Sequence, residues 1–312
     1  MSLSMIAPRF GPPDVLEPLD VTVPPPGPGE VTIDVRAVGV NMSDVLAIGG
    51  VLANPTLLPR HPVGYEVAGI IAAIGPDTQI ASGGGETGDP VLAFRVVGGY
   101  AERLNVPAVD VYHKPDVLSF PEAANLLLPA TTASKLLRVT EVKARDVVLV
   151  HGASGATGVS VLQQAAVLGA RVIGTCSREN FALVKRFGGE PVTYGEGLEE
   201  RVRELAPDGV HVALDCVGTD EALDVSFALV ANRRRVMTTA AYPRALAEDM
   251  ELMIGTYPAE SERAARGRLI DMAAQGRLVV PIVQTYPLAR AAEALNFLAQ
   301  GHPGGGKLAL IP

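Results

Sequence analysis

The sequence predicts an α/β protein made of a mostly-β domain and a doubly wound parallel-sheet domain, and three observations carry that prediction. A four-residue aliphatic run, Val147-Val148-Leu149-Val150, ends in a cluster of small residues, and apolar positions 159, 162, 165 and 166 then recur at helical spacing. From there to residue 238, strand-like and helix-like segments alternate with short connections, the pattern of a parallel sheet covered on both faces. The first hundred residues lack that rhythm: their short apolar runs are separated by Gly, Pro and Asp, and strict alternation over 31–38 marks a half-buried antiparallel strand.

Taken in order, Met1-Ser2-Leu3 reads as an addition ahead of a second Met at position 5 and is left outside the expected fold. Pro24-Pro25-Pro26-Gly27-Pro28-Gly29-Glu30 leads into the alternating strand, further short strands are expected at 67–74, 91–94 and 103–106, and loops around 51–62 and 81–90. The texture changes at Ser119-Phe120-Pro121-Glu122, where Ser119 suits a helix cap, Pro121 its first turn, and Ala/Leu-rich sequence continues to Leu137. The boundary is expected there, with 1–118 as one domain and 119–258 as the next. Within the second, strands are expected at 147–151, 171–175, 210–215 and 233–238, and helices at 157–169, 179–187, 197–205 and 220–230. After a helix over 259–275, the segments 279–283, 288–298 and 307–311 read as a β-α-β return without partners of its own, so 259–312 should complete the first domain.

Composition narrows the function classes. With 312 residues, 48% of them apolar, the chain can build a core in each domain. Its net charge of −8, with no basic cluster larger than Arg233-Arg234-Arg235, argues against nucleic acid as a partner. Cys176 and Cys216 form no C-x-x-C pair and read as buried free thiols of a reducing compartment. A soluble, cytoplasmic protein is expected, because no leader pattern opens the chain and no apolar stretch reaches the ~18 residues of a membrane span. His61, His113, His151, His211 and His302 are scattered, without ligand spacing.

The small-residue cluster has a specific chemistry in its strand-turn-helix context. Gly152, Ala153, Ser154, Gly155, Ala156, Thr157 and Gly158 form a G-x-G-x-x-G variant whose first glycine is Ala153, with Gly152 one place earlier. Gly155 would let the backbone approach a pyrophosphate, Gly158 would let helix and strand pack closely, and the helix start supplies free N–H groups for phosphate. NAD sites usually carry an acidic residue at the end of the second strand; here the strand ends Gly174-Thr175-Cys176-Ser177-Arg178, where Ser177 and Arg178 can donate to a 2′-phosphate. NADP(H) is therefore the expected cofactor, although Arg178 also suits an ordinary solvated helix position and Glu179 adjoins it.

Motifs along nearly the whole chain resemble the medium-chain dehydrogenase/reductase superfamily, in its zinc-independent quinone oxidoreductase, or zeta-crystallin-like, branch. They include Phe10-Gly11-Pro12-Pro13-Asp14-Val15-Leu16, Pro26-Gly27-Pro28-Gly29-Glu30-Val31, Ala37-Val38-Gly39-Val40-Asn41-Met42-Ser43-Asp44 and Gly64-Tyr65-Glu66-Val67-Ala68-Gly69. Gly88-Asp89-Pro90-Val91, Gly98-Gly99-Tyr100-Ala101-Glu102, the nucleotide motif and Gly305-Gly306-Lys307 continue the series. The resemblance implies a GroES-like substrate domain, a Rossmann domain inserted before its last strands, a catalytic cleft between them and a homodimer.

The same resemblance assigns roles to residues. Zinc-dependent relatives place a Cys where this chain has Asn41 and a His where it has Tyr65, neither a sound replacement as a zinc ligand, so no metal is expected. Asn41 is placed to donate to a substrate carbonyl, Asp44 to fix a water or a neighbouring donor, and Tyr65 to donate a proton; as plain residues, Asn41 and Asp44 also suit a turn and Tyr65 a core. Thr132 would face the nicotinamide, Tyr194 would join Ser177 and Arg178 at the 2′-phosphate, Val217 and Gly218 would border a ribose, Lys307 would approach the cofactor phosphates, and Tyr242 would roof the pocket. The implied reaction is hydride transfer from NADPH to a quinone or an enone. Two other readings stay open: a 2-enoyl-thioester reductase, whose catalytic Tyr would fall near Val51-Leu52 where this chain has none, and a non-enzymatic NADPH-binding sensor. No specificity code is readable in 45–62 or 240–258.

Overall fold

The computed structural model describes residues 1–51, 55–58, 60–250, 259–301 and 305–312, and the chain divides into two compact units. One comprises Met1–Leu128, Arg266–Gly276 and Val280–Pro312; the other comprises Pro129–Ala265 and Arg277–Val279.

The first unit is organised by the long strand Glu30–Val40. Glu66–Ile74, Lys307–Ile311 and Arg103–Pro107 all pair with it antiparallel. Pro90–Phe94 and Val111–His113 extend the seven-stranded sheet on one side, and Ile282–Pro287 extends it on the other, parallel to Lys307–Ile311. Val31, Ile33, Val35 and Val38 are buried in one apolar cluster with Val67, Ile71, Leu308 and Leu310, while Arg36 is exposed. The register slips between Val35 and Ala37, and beyond that bulge 37–40 is buried at every position, which is why the alternation stops there.

Of Met1-Ser2-Leu3, expected to stand outside the fold, Ser2 and Leu3 lie within it and Met1 is exposed. Ser2–Ala7 is a strand flanked antiparallel by Glu17–Val21 and His61–Pro62, Ser2 pairs with Val21, and the Leu3 N–H donates to the Glu102 carboxylate Oε2 at 2.8 Å while the Leu3 carbonyl accepts the Glu102 N–H at 2.9 Å. The pairing comes from segments distant in the chain.

The second unit holds a five-stranded parallel sheet in the order Gly189–Val192, Arg171–Thr175, Val147–His151, Val212–Asp215, Val236–Thr238. Val148, Val150, Val172 and Leu214 bury into a cluster with Val159, Leu162 and Ala165 of the helix Ala156–Leu168. Leu149, Ile173 and Ala213, one residue out of phase, bury into a second cluster with Leu198, Val202 and Leu223 from the helices Leu198–Leu205 and Asp220–Leu229. Successive strand residues face opposite sides, so the sheet is covered on both faces.

Several expected boundaries move for identifiable reasons. The 119–137 helix is two helices, Phe120–Ala123 and Leu127–Val139, because the Pro129 ring cannot follow the carbonyl of residue 125 in a continuous helix. Ser119 caps the first of them in a reciprocal box with Glu122. The first unit runs through Leu128, not 118, as the Leu128 N–H donates to Glu66 Oε2 at 2.9 Å. The return begins at Arg266, which is buried and donates to Asp110 at 2.5 Å, not at 259. Val279, expected to open a strand, instead belongs to the second unit, where its N–H donates to Gln163 Oε1 and its carbonyl accepts from Gln163 Nε2; the strand is Ile282–Pro287. Arg233–Arg235 is a 3₁₀ turn, leaving Val236–Thr238 as the strand, and the expected strand at 210 starts at Val212. Gly189–Val192 escapes sequence reading because it contains Pro191, which an edge strand tolerates. Among the described residues no helix is long and apolar enough to cross a membrane.

Candidate functional site

In the first unit, the end of Glu30–Val40 delivers Asn41 to the start of the short helix Met42–Ile48. Asp44, at the third helical position, accepts the Asn41 backbone N–H on Oδ2 at 2.8 Å, and the Tyr100 hydroxyl donates to the same oxygen at 3.1 Å. Asp44 is fully buried and its Oδ1 has no hydrogen-bond partner among the described residues. The Asn41 carboxamide lies between opposite charges: its Nδ2 donates to Glu66 Oε1 at 3.0 Å, and its Oδ1 accepts from the Lys307 ammonium. Lys307 also donates to the Val40 carbonyl at 2.7 Å and stands 3.6 Å from Glu66 Oε1.

The motif glycines make room for this cluster. A Cβ on Gly39 would lie 2.2 Å from the Ala124 carbonyl oxygen and 2.7 Å from Glu66 Oε1, so only glycine leaves Glu66 its place. Gly64 has φ +101° and abuts Tyr100, whose ring a Cβ would meet at 2.5 Å. Thus Gly39, Gly64-Tyr65-Glu66 and Gly98-Gly99-Tyr100 are parts of one packed arrangement.

Two carboxyl groups and one ammonium share this buried volume. Burial pushes the Asp44 carboxyl up to about 7, against the lowering by the Asn41 N–H, Lys307 and Tyr100. Glu66 is also raised by burial, while burial lowers Lys307 and the two carboxylates draw it back up. Tyr65 is half-buried, and burial together with the Asp44 charge raises its phenol, which keeps the proton on a group that could donate it.

Lys307, expected near the cofactor phosphates, is instead enclosed within the first unit, 5% exposed, hydrogen-bonded to Val40 and Asn41 and ion-paired with Glu66. Burial and the Glu66 charge capture it. Glu66 and Tyr100 received no role from the sequence, although both stand inside quoted motifs. A charged residue opening an otherwise apolar strand, Glu66 before Val67-Ala68, is the signal that points to it.

In the second unit, the turn after Val147–His151 has the features its residue types suggested. Gly152 has φ +74°, and its N–H donates to Thr175 Oγ1 at 3.1 Å. The Ala153 N–H donates to the Thr175 carbonyl at 3.0 Å, and Ala153 and Ser154 are buried beneath the turn. A Cβ on Gly158 would sit 2.3 Å from the Gly152 carbonyl oxygen and 2.7 Å from Ala153 Cα, so glycine is needed for the close helix packing. Gly155 is the N-cap of Ala156–Leu168, with no side chain capping the first turn, which holds Ala156, Thr157 and Gly158. Their N–H groups and the positive end of the helix dipole suit an anion.

The other nucleotide candidates lie at the carboxyl ends of the same strands. Ser177 follows Arg171–Thr175, accepts from Asn180 Nδ2 at 3.1 Å and precedes the exposed Arg178. Tyr194 is exposed two residues beyond Gly189–Val192. Val217 packs against Gly152, where a Cβ would meet its Cγ2 at 2.5 Å. Gly218 has φ +85°, and Asp215 Oδ1 accepts the N–H groups of both Val217 and Gly218, at 2.8 and 2.9 Å. Thr238 Oγ1 donates to Asp215 Oδ2 at 2.6 Å, so Asp215, which had no expected role, anchors this turn. Thr132 is half-buried in Leu127–Val139, and Tyr242 starts the helix Tyr242–Ala247.

Among the described residues, no group of three or more His, Cys, Asp and Glu side chains could hold a metal ion. Cys176 and Cys216 are free, and burial pushes their thiols up to about 11 and about 12. His151 is buried with Nε2 3.1 Å from Ser226 Oγ, and burial lowers it to about 4, a neutral core residue. His302 lies outside the described residues, as do Leu52 and the 251–258 part of the second unassigned loop.

Comparison with known proteins places the two units in known families. Residues 27–116 match the alcohol dehydrogenase GroES-like domain, and residues 156–267 match the zinc-binding dehydrogenase family. A quinone oxidoreductase from Mus musculus is 30% identical over 97% of this chain and 96% of its own. A mycobacterial protein solved with NADPH superposes with TM-score 0.85 at 31% identity over the whole of both chains. The Escherichia coli quinone oxidoreductase complexed with NADPH gives TM-score 0.85 at 26% identity, covering 99% of this chain and 100% of that one.

Proposed function

The chain belongs to the medium-chain dehydrogenase/reductase superfamily, in its quinone oxidoreductase branch, and from that premise we propose that it is a zinc-independent, NADPH-dependent reductase of quinones or α,β-unsaturated carbonyl compounds. The residues present fit the cofactor. Gly152 to Gly158 form a cradle whose helix start has no internal cap, and Arg178 is an exposed cation without an ion pair among the described residues, adjoining Ser177. No acidic side chain stands at 176–178 to repel a 2′-phosphate. When bound, NADPH supplies a hydride.

The observation that carries the reading is the Asn41 amide. One of its Nδ2 hydrogens goes to Glu66, and the other has no acceptor among the described residues. It can therefore donate to a substrate oxygen as negative charge develops there. An amide and the Tyr65 phenol occupy positions that a zinc site would give to Cys and His, so charge is met by neutral hydrogen-bond donors. Quinones and enones suit such a site, being electrophilic already; an alcohol would need its proton removed and its oxyanion held. Tyr65, kept protonated, is the proton donor in this scheme, with solvent as its source. The same reading takes the protein as a cytoplasmic homodimer, which fractionation and sedimentation test.

The test is NADPH oxidation by the purified protein across quinones, enones and enoyl thioesters. Turnover of a quinone or enone is expected, with Asn41→Ala lowering it at least tenfold. Preferred turnover of enoyl thioesters would replace this reading with the thioester reductase, and NADPH binding without turnover of any of them would replace it with the sensor.

A further inference from the structure

We propose that Lys307 and Glu66 are positioning residues that lock the Asn41 carboxamide in one of its two flips, so that it always presents an N–H and never its carbonyl. The proposal rests on the reading of Asn41 as the donor to substrate. Three contacts on the Asn41 residue are of different chemical kinds. Its backbone N–H is taken by Asp44 Oδ2 at 2.8 Å, its Nδ2 donates to Glu66 Oε1 at 3.0 Å, and its Oδ1 accepts from Lys307.

The polarity of the amide follows from the partners, independent of how oxygen and nitrogen are assigned. An ammonium only donates, so the amide oxygen must face Lys307; an ionised carboxylate only accepts, so the amide nitrogen must face Glu66. The opposite flip would set NH₂ against NH₃⁺ and C=O against a carboxylate, losing two charge-assisted hydrogen bonds in a buried site. Without such partners an Asn at a strand end has two flips of similar energy, and one of them turns its oxygen toward the substrate oxygen.

Each partner is itself held from a separate part of the chain. Lys307 opens the strand Lys307–Ile311 and is tied to the Val40 carbonyl at 2.7 Å. Glu66 opens Glu66–Ile74, and its second oxygen accepts the Leu128 N–H at 2.9 Å. The remaining charged or polar groups of the cluster, Asp44 and Tyr100, bond to each other and leave the Asn41 side chain to Lys307 and Glu66. Glu66 and Lys307 are 1% and 5% exposed, so water does not compete for these two contacts.

The discriminating experiment is the charge-balanced double variant Lys307→Met/Glu66→Gln, compared with Lys307→Met, Glu66→Gln and wild type. If Lys307 merely neutralises Glu66, the double variant recovers both melting temperature and kcat. If the pair sets the amide, the double variant recovers melting temperature but its kcat stays at least tenfold below wild type, with KM for NADPH within twofold. Glu66→Gln, whose amide can present either end to Asn41 while Lys307 still fixes the amide oxygen, should lower kcat, and by less than Lys307→Met. A second readout needs no substrate: with ¹⁵N-labelled asparagine, the Asn41 side-chain amide pair is assigned by its loss in Asn41→Ala. That pair should be resolved and slowly exchanging in wild type and exchange at least tenfold faster in the double variant. Recovered kcat, or unchanged amide exchange in the double variant, overturns the clamp. A wild-type protein that turns over no quinone or enone, yet shows the change in amide exchange, leaves the clamp standing and removes only the reductase reading.

Discussion

The Tyr100 hydroxyl donates to Asp44 Oδ2 at 3.1 Å, joining a fully buried phenol to a fully buried carboxyl group whose other oxygen has no partner among the described residues. Tyr100→Phe removes one of two donors to that oxygen. The cost expected is about 1 kcal/mol where Asp44 is protonated, the net worth of one hydrogen bond, and about 1.5–3 kcal/mol where it is ionised. Urea unfolding should show a larger loss at pH 8, where Asp44 is ionised, than at pH 5, where it is protonated. Equal losses at the two pH values would mean that the hydroxyl serves packing alone.

Asp44 also sets a pH dependence. Its carboxyl is held at about 7 against the ordinary 3.8, so between these values the native state binds a proton that the unfolded chain has released. The stability contributed is complete below about pH 4, declines as pH rises towards 7 and is absent above it. Asp44→Asn mimics the protonated form in charge. Relative to wild type it should gain stability as pH is raised from 5 to 8, and guanidinium melts across that range should show the two curves converging or crossing.

The two later glycines of the nucleotide turn should respond differently to alanine. At Gly158 the new methyl group meets backbone at 2.3 Å, so Gly158→Ala is expected to cost about 1–3 kcal/mol and weaken NADPH binding at least tenfold. At Gly155 the closest atom is 3.3 Å away, so Gly155→Ala should leave the melting temperature within a few degrees while still reducing NADPH affinity, because the methyl group intrudes where pyrophosphate must approach. Thermal melts and isothermal titration calorimetry measure the two effects separately. Equal thermal losses would contradict the packing distinction.

Arg178 is expected to read the 2′-phosphate. Arg178→Ala should raise KM for NADPH about tenfold or more, the equivalent of one charge-assisted hydrogen bond, and leave KM for NADH within threefold. Parallel increases for both cofactors would assign Arg178 to general electrostatics.

Sequence alone determined four of the five parallel strands of the second unit and the helices between them, because those strands are short aliphatic runs and the helices repeat an apolar stripe, both local patterns, while the Pro-containing edge strand Gly189–Val192 carries no such pattern. It also marked the Gly152–Gly158 turn as the nucleotide-binding candidate, where steric limits act between near neighbours, whereas Asn41 and Asp44 are singled out by the family resemblance, since as plain residues they also suit a turn. Tertiary structure decided what those side chains touch. Lys307 reaches Asn41 from 266 positions away and Tyr100 reaches Asp44 from 56 positions away, distances across which no periodicity carries information. Ser2–Ala7 became a strand and Arg233–Arg235 did not, because pairing depends on partners remote in the chain, and Lys307 left the phosphate role its motif suggested because a buried carboxylate holds an ammonium once the fold has excluded water.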